Sequence, residues 1–249
     1  MTSRLLAAAL LFLGTTYAQR STDSIARDKR TGSEAAGSWF VSVQELRVPP
    51  SAAKQFVKAN RLIAKRDWAK ASESLRKGLA IYPNYAAAYN NLGAVYSRMG
   101  KSGEARRALQ QAIALDDRLA AAYVNLGRIC FLDKDYPGAE SFLTKATSLE
   151  SAANPDELFL LAYAQLSDHH LDDALQTSRQ AHQAGFSQHG FLHLVAANAY
   201  EQQNRIAESI SELQLYLSEE PNGRQAEKVS RALVLLKSRS ANSNVLNSR

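Results

Sequence analysis

A chain of 249 residues has room for a sizeable core, and 45% hydrophobic with 22% charged residues is the balance of a folded chain rather than a disordered one. Twelve Gly and six Pro are few in a chain rich in Ala, which disfavours an all-β fold and favours closely packed helices. The net charge of +6 is scattered among acids, with no Lys/Arg run interleaved with aromatics, so nucleic acid is not an expected partner; the lone Cys130 leaves no intramolecular disulfide and puts stability on packing.

Residues 1–18 read as a secretory signal. Arg4 supplies the positive start, residues 5–13 (LLAAALLFL) the short apolar run, and Thr16 and Ala18 the small residues before a cut after Ala18. The run is shorter than the ~20 apolar residues a membrane span needs, and no Cys follows it to carry a lipid. The expectation is export to the periplasm or the extracellular space. Residues 19–37 are small and polar, as in a flexible linker. Within 38–50, Trp39, Val41 and Val43 alternate with Phe40, Ser42 and Gln44 before Pro49 and Pro50, an extended pattern. That segment either packs on the first helix or pairs with a partner, including a second copy. Residues 19–51 thus form a linker ahead of a repeat domain at 52–223.

The repeat is visible as two columns of small residues. Ala71, Ala105, Ala139, Ala174 and Ser209 follow one another at steps of 34, 34, 35 and 35, and Ala59, Gly93, Gly127, Ala162 and Ala197 keep the same steps. Small side chains at matched positions of two helices let the backbones cross closely. Around them the apolar spacing is helical, as in Tyr89, Leu92 and Tyr96 and again in Ala105, Leu109 and Ala112. The predicted helices are 52–64 and 68–81, 86–98 and 102–115, 120–132 and 136–149, 155–167 and 171–184, and 190–202 and 206–218. Gly100, with Asp67, Asp135 and Asn204 at or beside the equivalent places, marks turns inside hairpins; Pro83 and Pro221 mark turns between them. A last amphipathic helix at 224–237 carries Ala226, Val229, Leu233 and Leu236 on one stripe and Arg224, Lys228, Arg231 and Lys237 on the other. That is the cap a stacked array needs, and residues 224–249 are read as this cap followed by a disordered tail from Ser238.

The second hairpin, with Tyr89, Leu92-Gly93, Tyr96, Ala105, Leu109 and Ala112, resembles the tetratricopeptide repeat, and so does the third, with Tyr123, Leu126-Gly127, Ala139, Leu143 and Ala146. The first, fourth and fifth keep less of the pattern: Gln165 and His193 stand at aromatic positions, and Ser178 where a bulky residue is usual. The resemblance covers roughly residues 52–222 and implies an all-α fold, a right-handed superhelical solenoid of antiparallel helix pairs with about five repeats and a C-terminal capping helix. It further implies a concave groove lined by the first helix of each pair. On this register the groove receives Asn60, Asn90, Asn91, Arg98, Asn125, Arg128, Phe131, Phe159, Tyr163 and Asn198. Asn can pair with both N–H and C=O of a bound backbone, Arg with a carboxylate, and aromatics with apolar side chains. The carboxylate clamp of chaperone-binding members is not expected: Asn60 and Asn91 match it, but Phe56, Ala121 and Asn125 replace its basic residues.

Catalytic patterns are weak. His189 and His193 share a helical spacing, but Gly190 stands where a hydrolytic zinc motif needs Glu, and His193 falls in the aromatic column. His182 has no acidic partner at helical spacing, Cys130 sits in a buried column, and no phosphate loop or nucleophile elbow occurs. The expected function is a non-enzymatic protein- or peptide-binding scaffold of the bacterial cell envelope, without cofactor or metal. The rival readings are a self-assembling structural protein and a metal-dependent hydrolase using His182, His189 and His193.

Overall fold

The computed structural model describes residues 48–149, 154–183 and 190–247. The signal (1–18), the linker (19–37), the alternating residues 38–47 and His189 lie outside the described residues.

Every described element is a helix: α1 Pro50–Ala64, α2 Trp68–Ile81, α3 Ala86–Arg98, α4 Ser102–Leu115, α5 Ala120–Leu132, α6 Tyr136–Leu149, α7 Pro155–Ser167, α8 Leu171–Gln183, α9 Phe191–Gln202, α10 Ile206–Glu219 and α11 Ala226–Asn247. None is long and apolar enough to cross a membrane. Helix starts follow local chemistry. Pro50 takes the first helical position of α1, where its missing N–H costs nothing, so the helix begins before residue 52. The Asp67 carboxylate accepts the Lys70 N–H at 3.2 Å to open α2, and the Asn154 side chain accepts the Asp156 N–H at 2.9 Å to open α7. At the other end, α11 runs to Asn247 instead of stopping at 237. Residues 238–247 hold neither Gly nor Pro, so nothing in their backbone ends the helix, and the tail expected to be disordered continues as helix to that point.

The turns inside the hairpins carry the repeat in their backbone. Arg66, Gly100, Lys134, His169 and Asn204 all have φ between 58° and 71°, and they recur at the 34- and 35-residue steps of the small-residue columns. After each, the next N–H reaches back five residues: Asp67 to the Leu62 carbonyl, Lys101 to Tyr96, Asp135 to Cys130, His170 to Gln165 and Arg205 to Tyr200, at 2.8–2.9 Å. That closing bond requires a left-handed residue, which Gly100 adopts freely and the other four adopt against their Cβ.

By packing, the chain divides into two compact units, the first running to Ile129 and the second taking over at Cys130. The N-terminal unit is centred on Phe56, Ala59, Ile63, Leu75, Leu92 and Val95. Its α3 crosses α4 at Gly93, where an added Cβ would lie 2.5 Å from Leu109 Cγ and 3.1 Å from the Ala105 carbonyl oxygen. Leu109 and Ala105 are wholly buried. The C-terminal unit is centred on Phe159, Leu160, Leu194, Val195, Leu213 and Leu236. There the two small columns touch directly: the Ser209 hydroxyl of α10 donates to the Ala197 carbonyl of α9 at 2.8 Å. Gln165, in place of an aromatic, is held by the Thr177 hydroxyl at 2.8 Å, and Ser178, in place of a bulky residue, donates to the Ala174 carbonyl. α11 seals the end of this unit with Val229, Ala232 and Leu236, each fully buried.

The crossing at Gly93 yields a stability prediction. Gly93→Val should lower the unfolding free energy by about 1–3 kcal/mol through overpacking against Leu109. Leu109→Ala in the same chain should cost less than the sum of the two single changes, since it opens the space the new side chain needs. Urea denaturation of the two single variants and the double variant measures this; additive losses would mean the helices do not meet at that point.

Candidate functional site

Four of the five asparagines assigned to the groove are bonded to one another. In the N-terminal unit, Arg128 Nη1 donates to Asn125 Oδ1 at 3.2 Å, and Asn125 Nδ2 donates to Asn90 Oδ1 at 2.9 Å. Asn90 Nδ2 donates to Asn91 Oδ1 at 3.2 Å, and Asn91 Nδ2 donates to Asn60 Oδ1 at 2.9 Å. The result is a continuous ladder of side chains across α5, α3 and α1, the first helices of their hairpins. The repeat period builds it: Asn91 and Asn125 each stand two residues before the Gly of the small column, so consecutive helices present an amide at the same height.

Asn90, Asn91, Asn125 and Arg128 are nearly buried, and Asn60 at the ladder's end is half-buried. Each internal amide uses one N–H and one oxygen lone pair along the ladder, and each has a second of both. A bound main chain presents the complementary pair at every residue. Arg98 sits elsewhere: its guanidinium lies 5.8 Å from the centre of the Trp68 ring, bridging the ends of two helices.

In the C-terminal unit the same column turns apolar, with Leu160 and Val195 where Asn91 and Asn125 stand, both fully buried. The three aromatics expected in the groove pack mainly on each other. Phe131 and Tyr163 rings are 5.1 Å apart, Phe159 and Tyr163 6.1 Å, and Phe159 and Phe191 4.6 Å. Phe159 has no exposed surface, which corrects the expectation that its ring anchors a partner: it fills the core because α9 brings Phe191 against it. Burial, with Tyr136 alongside, holds the Tyr163 phenol well above its ordinary pKa, so it stays a neutral donor. Asn198 accepts from Gln202 Nε2 at 2.9 Å and is buried.

The histidines are also brought together in a way their spacing hides. His182 at the end of α8 and His193 in α9 have ring centres 5.4 Å apart. His193 Nδ1 meets Glu212 at 2.7 Å, and its Nε2 meets Glu219 at 3.3 Å; both carboxylates come from one face of α10. Burial opposes charge on His193, but the hydrogen bond and charge of Glu212, aided by Glu219, outweigh it and raise the imidazole above its ordinary pKa.

Residues 58–118 match the tetratricopeptide repeat family. No curated protein matches the sequence. Solved structures with the same fold include YrrB, described as a TPR protein with an unusual peptide-binding site, at 18% identity and TM-score 0.65, covering 72% of this chain and 92% of that one. They also include the MamA protein, at 21% identity and TM-score 0.62, covering 69% and 92%. A third is pilF of Pseudomonas aeruginosa, at 18% and 0.61, covering 78% and 88%. The fold is therefore the tetratricopeptide-type solenoid of antiparallel helix pairs.

The ladder makes its members unequal in stability. Asn91→Ala strips Asn90 of its acceptor and Asn60 of its donor, and should cost about 1–3 kcal/mol. Asn60→Ala, at the solvated end, should cost less than 1 kcal/mol. Equal losses in urea denaturation would show that the amides are independently solvated.

Proposed function

We propose that this chain is a non-enzymatic adaptor of the bacterial cell envelope, with about five tetratricopeptide-type hairpins, that holds an extended peptide segment along the asparagine ladder. The ladder carries the reading. A helical surface rarely buries three amides in one line, because each must be hydrogen-bonded or it costs free energy. Here they satisfy one another and keep spare donors and acceptors spaced by the repeat, which is the chemistry a main chain needs. Arg128 at one end adds positive charge suited to an acidic side chain or a C-terminal carboxylate. The tetratricopeptide match over residues 58–118 supports a protein or peptide partner, and so does the likeness to YrrB, itself described by its peptide-binding site. Envelope location draws its support from the sequence of residues 1–18 alone.

Panning a random-peptide phage library on the purified protein tests the ladder. Enriched peptides should shift the side-chain amide resonances of Asn60 and Asn91 and bind at least ten-fold more weakly to Asn60→Leu, a variant chosen at the ladder's solvated end. Shifts confined to other residues would reject it. Export is tested separately. Alkaline phosphatase fused behind residue 37 should be active outside the cytoplasm of a bacterial host, and should lose that activity with Leu10→Arg, which breaks the apolar run. An inactive fusion would remove the envelope from the reading.

A further inference from the structure

Helices α8, α9 and α10 build a second polar cluster, which the peptide reading does not use. We propose that His182, His193 and Glu219 form a binding site for a divalent zinc-class ion, with a fourth coordination position open to the cavity beside the two imidazoles. This reverses the expectation that the chain carries no metal, and it stands independently of the asparagine ladder.

The geometry has the dimensions of a metal shell. One ligand atom from each of the three residues can be chosen so that all lie within 4.8 Å of one another. His193 Nε2 and Glu219 Oε1 are 3.3 Å apart. In a tetrahedron with bonds of about 2.0–2.1 Å, neighbouring ligand atoms are separated by about 3.3 Å, so this edge is already formed. His182 is exposed at the last turn of α8, with a ring nitrogen within 4.8 Å of the other two ligand atoms and room for its side chain to turn.

The surroundings have the features of a supporting shell. Glu212 holds His193 Nδ1 at 2.7 Å, which turns Nε2 towards Glu219; a carboxylate behind a ligating histidine is the usual way a protein fixes the ring. The second oxygen of Glu219, Oε2, is buried with no hydrogen-bond partner among the described residues. A buried carboxylate oxygen left in that condition is costly, and a cation held by the other oxygen of the same carboxylate would offset its charge. Both histidines and Glu212 line a cavity of about 210 Å³, with Leu192 and Leu215 on its apolar side. That is many times the ~10–15 Å³ one water needs, so a metal-bound water has room beside the two imidazoles, Glu219 lying outside the lining. Two imidazoles and one carboxylate suit zinc far better than magnesium or calcium, which take oxygen donors.

Glu140, Asp168 and His170 form another group of compatible ligand atoms, but it is more open, with His170 exposed. It serves as the internal control.

The experiment uses the full untagged chain and Zn(II) alone, titrated in competition with a chromophoric chelator. One ion per chain should bind. His182→Ala, whose exposed side chain contributes little to the core, should weaken binding at least ten-fold, and His193→Ala should abolish it. Glu212→Gln should weaken binding ten- to one hundred-fold as a positioning residue, while His170→Ala leaves it unchanged. Co(II) substitution should give the intense visible absorption of a four-coordinate ion, lost in His182→Ala. No binding by the wild-type chain, unchanged binding by His182→Ala, or binding lost only in His170→Ala would each overturn the assignment.

Discussion

Two helices approach only as closely as the side chains between them permit, and in this chain the approach is set by positions that carry almost no side chain. At Gly93 even one methyl group would collide with Leu109 and crowd the Ala105 carbonyl. At Ala197 the contact is close enough for the Ser209 hydroxyl to reach the backbone oxygen of the neighbouring helix. Close crossings fix the angle and depth of each hairpin, because ridges on one helix then have a single set of grooves to fill. The left-handed turn residues and the apolar stripes follow from that placement: a short turn joins two helices only when their ends are already near.

A repeated crossing gives each first helix the same orientation within its unit, so residues at one repeat position come into line. What they do there depends on their chemistry. In the N-terminal unit the line is Asn91 and Asn125, extended by Asn60, Asn90 and Arg128, and it is a hydrogen-bonded strip. In the C-terminal unit the same column holds Leu160 and Val195 and becomes core. One scaffold therefore supports two kinds of interior, and the polar cluster of the second unit moves to the face where α8, α9 and α10 come together.

The helices were legible because their defining signal is local and repeated: the small columns and the 34- and 35-residue steps place the hairpin boundaries within two residues of those in the structure. Gly100 announced its turn. Arg66, Lys134 and His169 did not, since nothing in a side chain marks a residue driven left-handed by the bond closing around it. The ladder residues were named from the tetratricopeptide resemblance, but their mutual bonding depends on rotamers on three helices and leaves no trace in spacing. His193 looked like a packing residue because its column is aromatic. Its partners are eleven residues before it and nineteen and twenty-six after it, on the two neighbouring helices. The one clue in the sequence was the pair Glu212 and Glu219, seven apart and so on one helical face, beside a column that had exchanged an aromatic for a histidine.

The terminal arginine gives the ladder a direction. A guanidinium can only donate, so Asn125 must turn its oxygen towards Arg128 and its nitrogen towards Asn90. Asn90 and Asn91 inherit the same sense, and the final oxygen of Asn60 is committed as well. Rotating any one internal amide by half a turn would set like atoms against each other on both sides, so the four keep one sense while Arg128 holds Asn125. The strip is thus a polarised wire whose sign is set by one cation, and anything laid along it meets a surface that distinguishes head from tail.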